Sequence, residues 1–128
     1  CAGHISLIEL SKGWCFCGDI FTREKIKFIR PEENIGELIV SMKTIADCVK
    51  GDLILFTSVS KIVEDGHRAL KSCIDYLNDL AVKVKQYKTE GREVGEIMNL
   101  TFGGESDFSK LTNGQFSSMN LTRSLLAM

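Results

Sequence analysis

At 128 residues with a formal net charge of −1, the chain is long enough to bury a core and carries no surplus of either sign. Lys and Arg are spread along it without a basic run, which excludes the phosphate-neutralising face of a nucleic-acid binder. No apolar run approaches the roughly 20 residues needed to cross a bilayer, and no signal-peptide pattern stands at the start, which is Cys1 and not Met.

Residues 4–30 read as β. Ile5–Leu10 and Trp14–Phe21 are rich in β-branched and aromatic residues, and Ser11-Lys12-Gly13 has the length and the glycine of a hairpin loop. Strand alternation places Trp14, Phe16 and Ile20 on one face and Cys15, Cys17 and Asp19 on the other. Lys25–Ile29 reads as a third short strand before Pro31 stops it.

Residues 31–90 read as helix. Pro31, Glu32 and Glu33 suit a first helical turn, and Asn34 with Glu37 resembles a capping box. From Ile35 to Tyr87 apolar residues recur at steps of three and four, the spacing that stacks side chains on one helical face. Ile35, Met42, Val49, Phe56, Val63, Leu70, Leu77 and Val84 fill one heptad position, and Leu38, Ile45, Val59, Cys73, Leu80 and Tyr87 the other. Asp52 and Gly66 interrupt the second. Lys50-Gly51-Asp52 reads as the end of one helix and the cap of the next.

The pattern keeps its phase across Gly66, which predicts a continuous second helix from about Leu53 to Glu90. Such a helix would be about 57 Å long at 1.5 Å per residue. A compact domain of this length is only about 36 Å across, so the helix would need a partner or a break at Glu64-Asp65-Gly66. The stripe is wider than a two-stranded coiled-coil seam and suits a helical bundle. Beyond Gly91 the pattern weakens: residues 94–102 read as a possible last strand, or Val94, Ile97 and Met98 extend a helix. Residues 105–128 are dominated by Ser, Thr, Asn and Gly and read as a weakly ordered tail outside a 1–104 domain.

Five cysteines are an odd number and too sparse for a disulfide framework, which favours a reducing, cytoplasmic setting. Two Asn-x-Thr triplets, at Asn99 and Asn120, point the other way but arise often by chance. Cys15-x-Cys17 has no second ligand pair at zinc spacing, so structural cysteines outweigh a metal or redox site. Cys1 at a processed terminus would suit an N-terminal nucleophile, but no oxyanion-hole motif accompanies it. His67 beside Glu64 could form an acid/base pair, and a histidine hydrogen-bonded to a neighbour is the simpler reading.

These readings define an α+β protein, mainly α, with a small N-terminal antiparallel sheet followed by two or three heptad-patterned helices. No catalytic residue, metal or cofactor is assigned. The expected function is a non-catalytic helical interaction module that self-associates as a homo-oligomer or docks a partner protein. Its interaction stripe would be Ile35, Leu38, Met42, Ile45, Val49, Phe56, Val59, Val63, Leu70, Leu77, Leu80 and Val84. The runner-up is a membrane-active helical protein using Leu53–Val63, and the third reading is a small cysteine-dependent enzyme.

Overall fold

The computed structural model describes residues 3–128. In chain order the elements are β1 (Leu7–Glu9), β2 (Trp14–Gly18), α1 (Ile35–Cys48), β3 (Ile54–Thr57) and β4 (Ile62–Val63), then α2 (Gly66–Thr89), α3 (Val94–Phe102), α4 (Asp107–Leu111) and α5 (Ser118–Leu126). The protein is α+β and mainly α, with a small sheet near the N-terminus and helices after it. Residue contacts divide it into two compact units. Among the described residues, one holds 3–24 and 37–75, the other 25–36 and 76–128.

The first unit is built on a four-stranded sheet in the order β1-β2-β3-β4. β1 and β2 form the expected hairpin, with Leu7 opposite Phe16 and Glu9 opposite Trp14. Gly13 closes its turn with φ +66°, and a side chain there would collide with the Asp52 carbonyl. β2 and β3 run parallel, so the chain must cross over between them, and α1 lies in that connection. β3 and β4 pair antiparallel around a turn in which Ser60 takes φ 59°.

The segment Leu53–Val63 is therefore strand and turn, and not the start of a long helix. Its apolar residues happen to hold the heptad phase, but a run of four, Leu53–Phe56, is also what a strand buried on both faces looks like. The backbone partners offered by Trp14–Gly18 decide for the strand. The chain does bend after Lys50, as Gly51 suggests, yet Asp52 caps no helix because a strand follows. The membrane-active reading loses its helix here. No helix among the described residues is long and apolar enough to cross a membrane.

α2 starts at Gly66, so Glu64-Asp65-Gly66 is a helix start and the continuous helix is broken there. The Asp65 carboxylate accepts from the Arg68 backbone N–H at 3.2 Å, an N-cap bond. Gly66 N–H donates to the Leu53 carbonyl at 2.7 Å. A Cβ at Gly66 would lie 2.6 Å from that carbonyl oxygen and 2.8 Å and 3.0 Å from Cγ of Leu53 and Leu55. Gly66→Ala is thus expected to cost about 1–3 kcal/mol in denaturant melts, the usual range for overpacking. A stabilised mutant would mean that the helix runs through.

α1 begins at Ile35 and not at Pro31. Arg30–Glu33 forms a turn instead, closed by Glu33 N–H to the Arg30 carbonyl at 3.2 Å and by Arg30 N–H to Glu33 Oε2 at 2.8 Å. Lys25–Ile29 is not a strand, although Ile29 makes a single antiparallel bridge to Ser117. Residues 94–102 are helix α3, started where the Glu96 carboxylate accepts from Glu93 N–H and ended by Gly103 in the left-handed region at φ 77°.

Residues 105–128 are not a loose tail. Ser106 and Ser117 cap α4 and α5, accepting from Ser109 N–H and Asn120 N–H. The Glu105 carboxylate adds a second cap on α5, taking Ser118 N–H and Met119 N–H at 2.8 Å each. Leu121, Thr122 and Leu125 are fully buried. Phe28, Phe108 and Phe116 form an aromatic cluster with centroids 5.2–6.1 Å apart, and the Arg30 guanidinium lies 4.9 Å over Phe116. Asn120 donates to the carbonyls of Ile29 and Gly114, and Thr122 is inaccessible, so the Asn120 triplet has a structural use.

Candidate docking surface

Of the twelve residues expected to form an external stripe, Ile35, Met42, Ile45, Val49, Leu70, Leu77 and Val84 are buried. Leu38, Phe56, Val63 and Leu80 are partly covered, and Val59 is exposed in the β3–β4 turn. The heptad stripe is therefore mostly core of the chain's own fold. Phe56, Val59 and Val63 do not lie on a helix at all.

The apolar surface that does reach solvent lies on the sheet. Cys15, Cys17, Leu53 and Leu55 point to one face and are buried. On the opposite face the register aligns one residue from each strand in a single row: Leu7 opposite Phe16, Phe16 beside Phe56, and Phe56 opposite Ile62. Leu7 is 65% exposed, Phe16 47% and Ile62 60%. Phe16 and Phe56 stack at 4.8 Å between centroids with planes 17° apart. Trp14 meets Phe56 edge-on at 5.8 Å, and the Lys12 ammonium sits 4.5 Å over the Trp14 ring. Such pairs are preferred aromatic geometries, so the rings brace one another without a covering layer.

Parallel strand pairs occur almost only where both faces of the sheet are covered, and Trp14–Cys17 and Leu53–Phe56 are apolar on both faces. A contiguous apolar row left open to water is the mark of a docking site. Residue order alone hid this face, because the same Phe56 and Val63 also fitted a helical phase. The signal that could have found it was Leu53–Phe56 itself, a short apolar run bounded by Gly51-Asp52 and Thr57-Ser58.

A second polar arrangement stands at the carboxyl ends of the parallel strands β2 and β3. Ser58 Oγ donates to Asp19 Oδ1 at 2.6 Å, and Ser58 N–H reaches the Gly18 carbonyl at 3.4 Å. His4 Nε2 lies 3.1 Å from the Cys17 carbonyl oxygen, and Ser6 Oγ donates to the same oxygen. Gly18 takes φ +54°, and a Cβ there would meet the His4 ring at 2.5 Å. Sequence reading grouped Asp19 with the cysteines and did not pair it with Ser58.

The remaining chemical candidates have structural roles. His67 Nε2 lies 2.9 Å from the Gly51 carbonyl oxygen, a bond to a neighbouring turn. No group of three or more His, Cys, Asp and Glu among the described residues is placed to hold a metal ion. Cys1 lies outside the described residues.

The Cys15/Cys17 face is interior, not a reactive surface. Burial pushes the Cys15 thiol up to about 11, with Cys17 and Cys48 adding to the rise. Burial raises Cys17 too, and Cys73 reaches about 12, through burial first and then Glu24. These thiols are neutral at ordinary pH and poor nucleophiles. Alkylation of the native protein at pH 8 is expected to modify Cys48 while sparing Cys15, Cys17 and Cys73, as peptide mass mapping would show. The sign of the pH dependence follows. Their contribution to stability is whole below about 9 and is lost as pH rises towards 11–12, because the unfolded chain ionises first. Rapid native labelling of Cys15 or Cys17 would contradict this burial.

No protein-family model matches the chain, and neither a curated protein nor a solved structure does.

Proposed function

We propose that the chain is a protein-interaction module and that it docks through the outer face of the β1–β4 sheet. The carrying observation is the exposed row Leu7–Phe16–Phe56–Ile62 on a sheet whose other face is already buried. Large apolar and aromatic side chains grouped at the centre of a surface are the usual anchors of protein interfaces. The heptad stripe, the first candidate by sequence, serves instead to hold the fold.

The double variant Phe16→Ser, Ile62→Ser tests this. Each side chain is about half exposed and Phe16 stacks on Phe56, so stability is expected to fall by about 1–3 kcal/mol without loss of the fold. Proximity labelling in cells should retrieve neighbours with the native chain that the folded variant loses. Identical neighbours for both would sink the proposal, and a variant that unfolds would show the face to be core.

A second reading is favoured by the polar arrangement at Asp19, Ser58 and His4. In open sheets with parallel strands, small ligands bind outside the carboxyl ends of those strands. A carboxylate, a hydroxyl and an imidazole gathered there from three segments suit a small cationic or hydroxyl-bearing ligand. Amide shifts confined to these residues during titration with divalent cations and polyols would support it, and unchanged spectra would dismiss it.

A further inference from the structure

We infer that Asn113-Gly114 is a self-modification site, at which the asparagine converts to aspartate and isoaspartate whenever the end of α4 opens. It stands independently of the docking reading. Asn113 is the single asparagine followed by glycine; Ile35, Asp79, Leu100 and Leu121 follow the others. Glycine matters because the attacking atom is the next residue's backbone nitrogen, and a side chain there would crowd it. Asn113 is exposed, and among the described residues its carboxamide makes no hydrogen bond. Nothing lies within 4 Å of where a Cβ on Gly114 would stand, so water reaches the turn.

The step needs only water. Gly114 N bonds to Asn113 Cγ, the Cγ–Nδ2 bond breaks, and the amide nitrogen leaves as ammonia with the proton from Gly114. Water then opens the cyclic imide. Attack at Cγ gives aspartate, and attack at the main-chain carbonyl gives isoaspartate, in which the chain runs through Cγ. An amide becomes a carboxylate, and nothing is oxidised or reduced.

The fold holds this reaction back. Asn113 takes φ 49° just beyond the C-cap Thr112, and its N–H donates to the Lys110 carbonyl at 3.3 Å. Gly114 N–H donates to the Ser109 carbonyl at 2.8 Å, which completes a Schellman cap. The nitrogen that must attack is tied to the helix for as long as this cap is closed. The tie is local. α4 has five residues, of which Ser109 is buried while Phe108 and Leu111 are exposed. Short exposed segments open at the low end of a protein's free-energy range, so Gly114 is released without global unfolding. Modification then hinders closure. The new carboxylate stands at the carbonyl end of α4, where the helix dipole disfavours it, and isoaspartate lengthens the backbone within the cap.

Peptide mass mapping of the chain held at mildly alkaline pH tests this, with enzymatic methylation marking isoaspartate. The native chain should convert at Asn113 about 10- to 100-fold more slowly than the chain unfolded in urea, the protection of a locally opening segment. Ser106→Ala removes the N-cap of α4 and should speed native conversion about fivefold, with the urea rate unchanged. Asn113→Gly keeps a residue suited to positive φ and should gain no mass in this turn. Its α4 amides should keep the exchange protection that the native chain loses in step with conversion. Equal rates in native and unfolded chains would overturn the inference, as would a native chain that stays unconverted at Asn113 while the unfolded one converts. An unfolded chain inert at Asn113, or a native rate unmoved by Ser106→Ala, would overturn it equally. The comparison of native and unfolded rates uses the full chain and decides the matter if the Ser106 variant does not fold.

Discussion

Cutting the chain after Gly104 should abolish the fold of the unit built from residues 25–36 and 76–128. The cut removes Leu121 and Leu125, both fully buried, each worth about 1.5–3 kcal/mol by burial alone. It also removes Phe108 and Phe116 from Phe28, and the Ser124 hydroxyl that accepts Ile35 N–H at 2.8 Å. The summed loss, about 5 kcal/mol or more, rivals the whole stability of a typical domain, about 5–15 kcal/mol. Leu125→Ala on its own is expected to cost about 2–5 kcal/mol. Hydrogen exchange of the truncated chain is the decisive measurement, since α3 amides should lose their protection. A truncated protein that melts near the native temperature would return residues 105–128 to the status of a dispensable tail.

This segment also shows where the amino-acid sequence is opaque. Its apolar residues are few, and density alone reads as disorder, but Leu121 and Leu125 are spaced i, i+4 and share one face of α5. Capping carries the rest. Glu105 reaches the first two amides of α5 from thirteen and fourteen residues away, a pairing that no local rule anticipates. The β1–β2 hairpin was legible because its turn and its strands are neighbours in the chain. The β2–β3 pair was not, because a parallel neighbour lies a whole crossover away and leaves no adjacent turn as a signature. Leu53–Val63 then joined the helical pattern by phase alone.

The exposed apolar face of the sheet was hidden for the same reason. Trp14 and Phe16 were correctly placed on one face, but Leu7, Phe56 and Ile62 join them only through long-range register. Burial inverted the rest of the functional reading. An apolar stripe with 3-4 spacing says that a helix has one covered face, and it does not say what covers it. In this chain the cover for most of the stripe comes from the chain itself.

Leu70→Ala and Leu77→Ala test that inversion, and each is expected to cost about 2–5 kcal/mol, the range for emptying a buried leucine site. Both side chains are fully buried on α2, and they sit one heptad apart. Leu70 belongs to the unit that contains the sheet and Leu77 to the other. Leu70→Ala should therefore first weaken exchange protection in β2 and β3, and Leu77→Ala that in α3 and α5. Lys71→Ala and Lys85→Ala, exposed on the same helix, should stay within about 0.5 kcal/mol. Val82, an exposed aliphatic on α2, should tolerate serine almost as well, since its side chain already faces water. An external stripe would behave differently: Leu70→Ala and Leu77→Ala would leave the melting curve of the isolated chain nearly unchanged and would weaken association instead. Equal costs at the leucines and the lysines would show that the helical register itself is wrong.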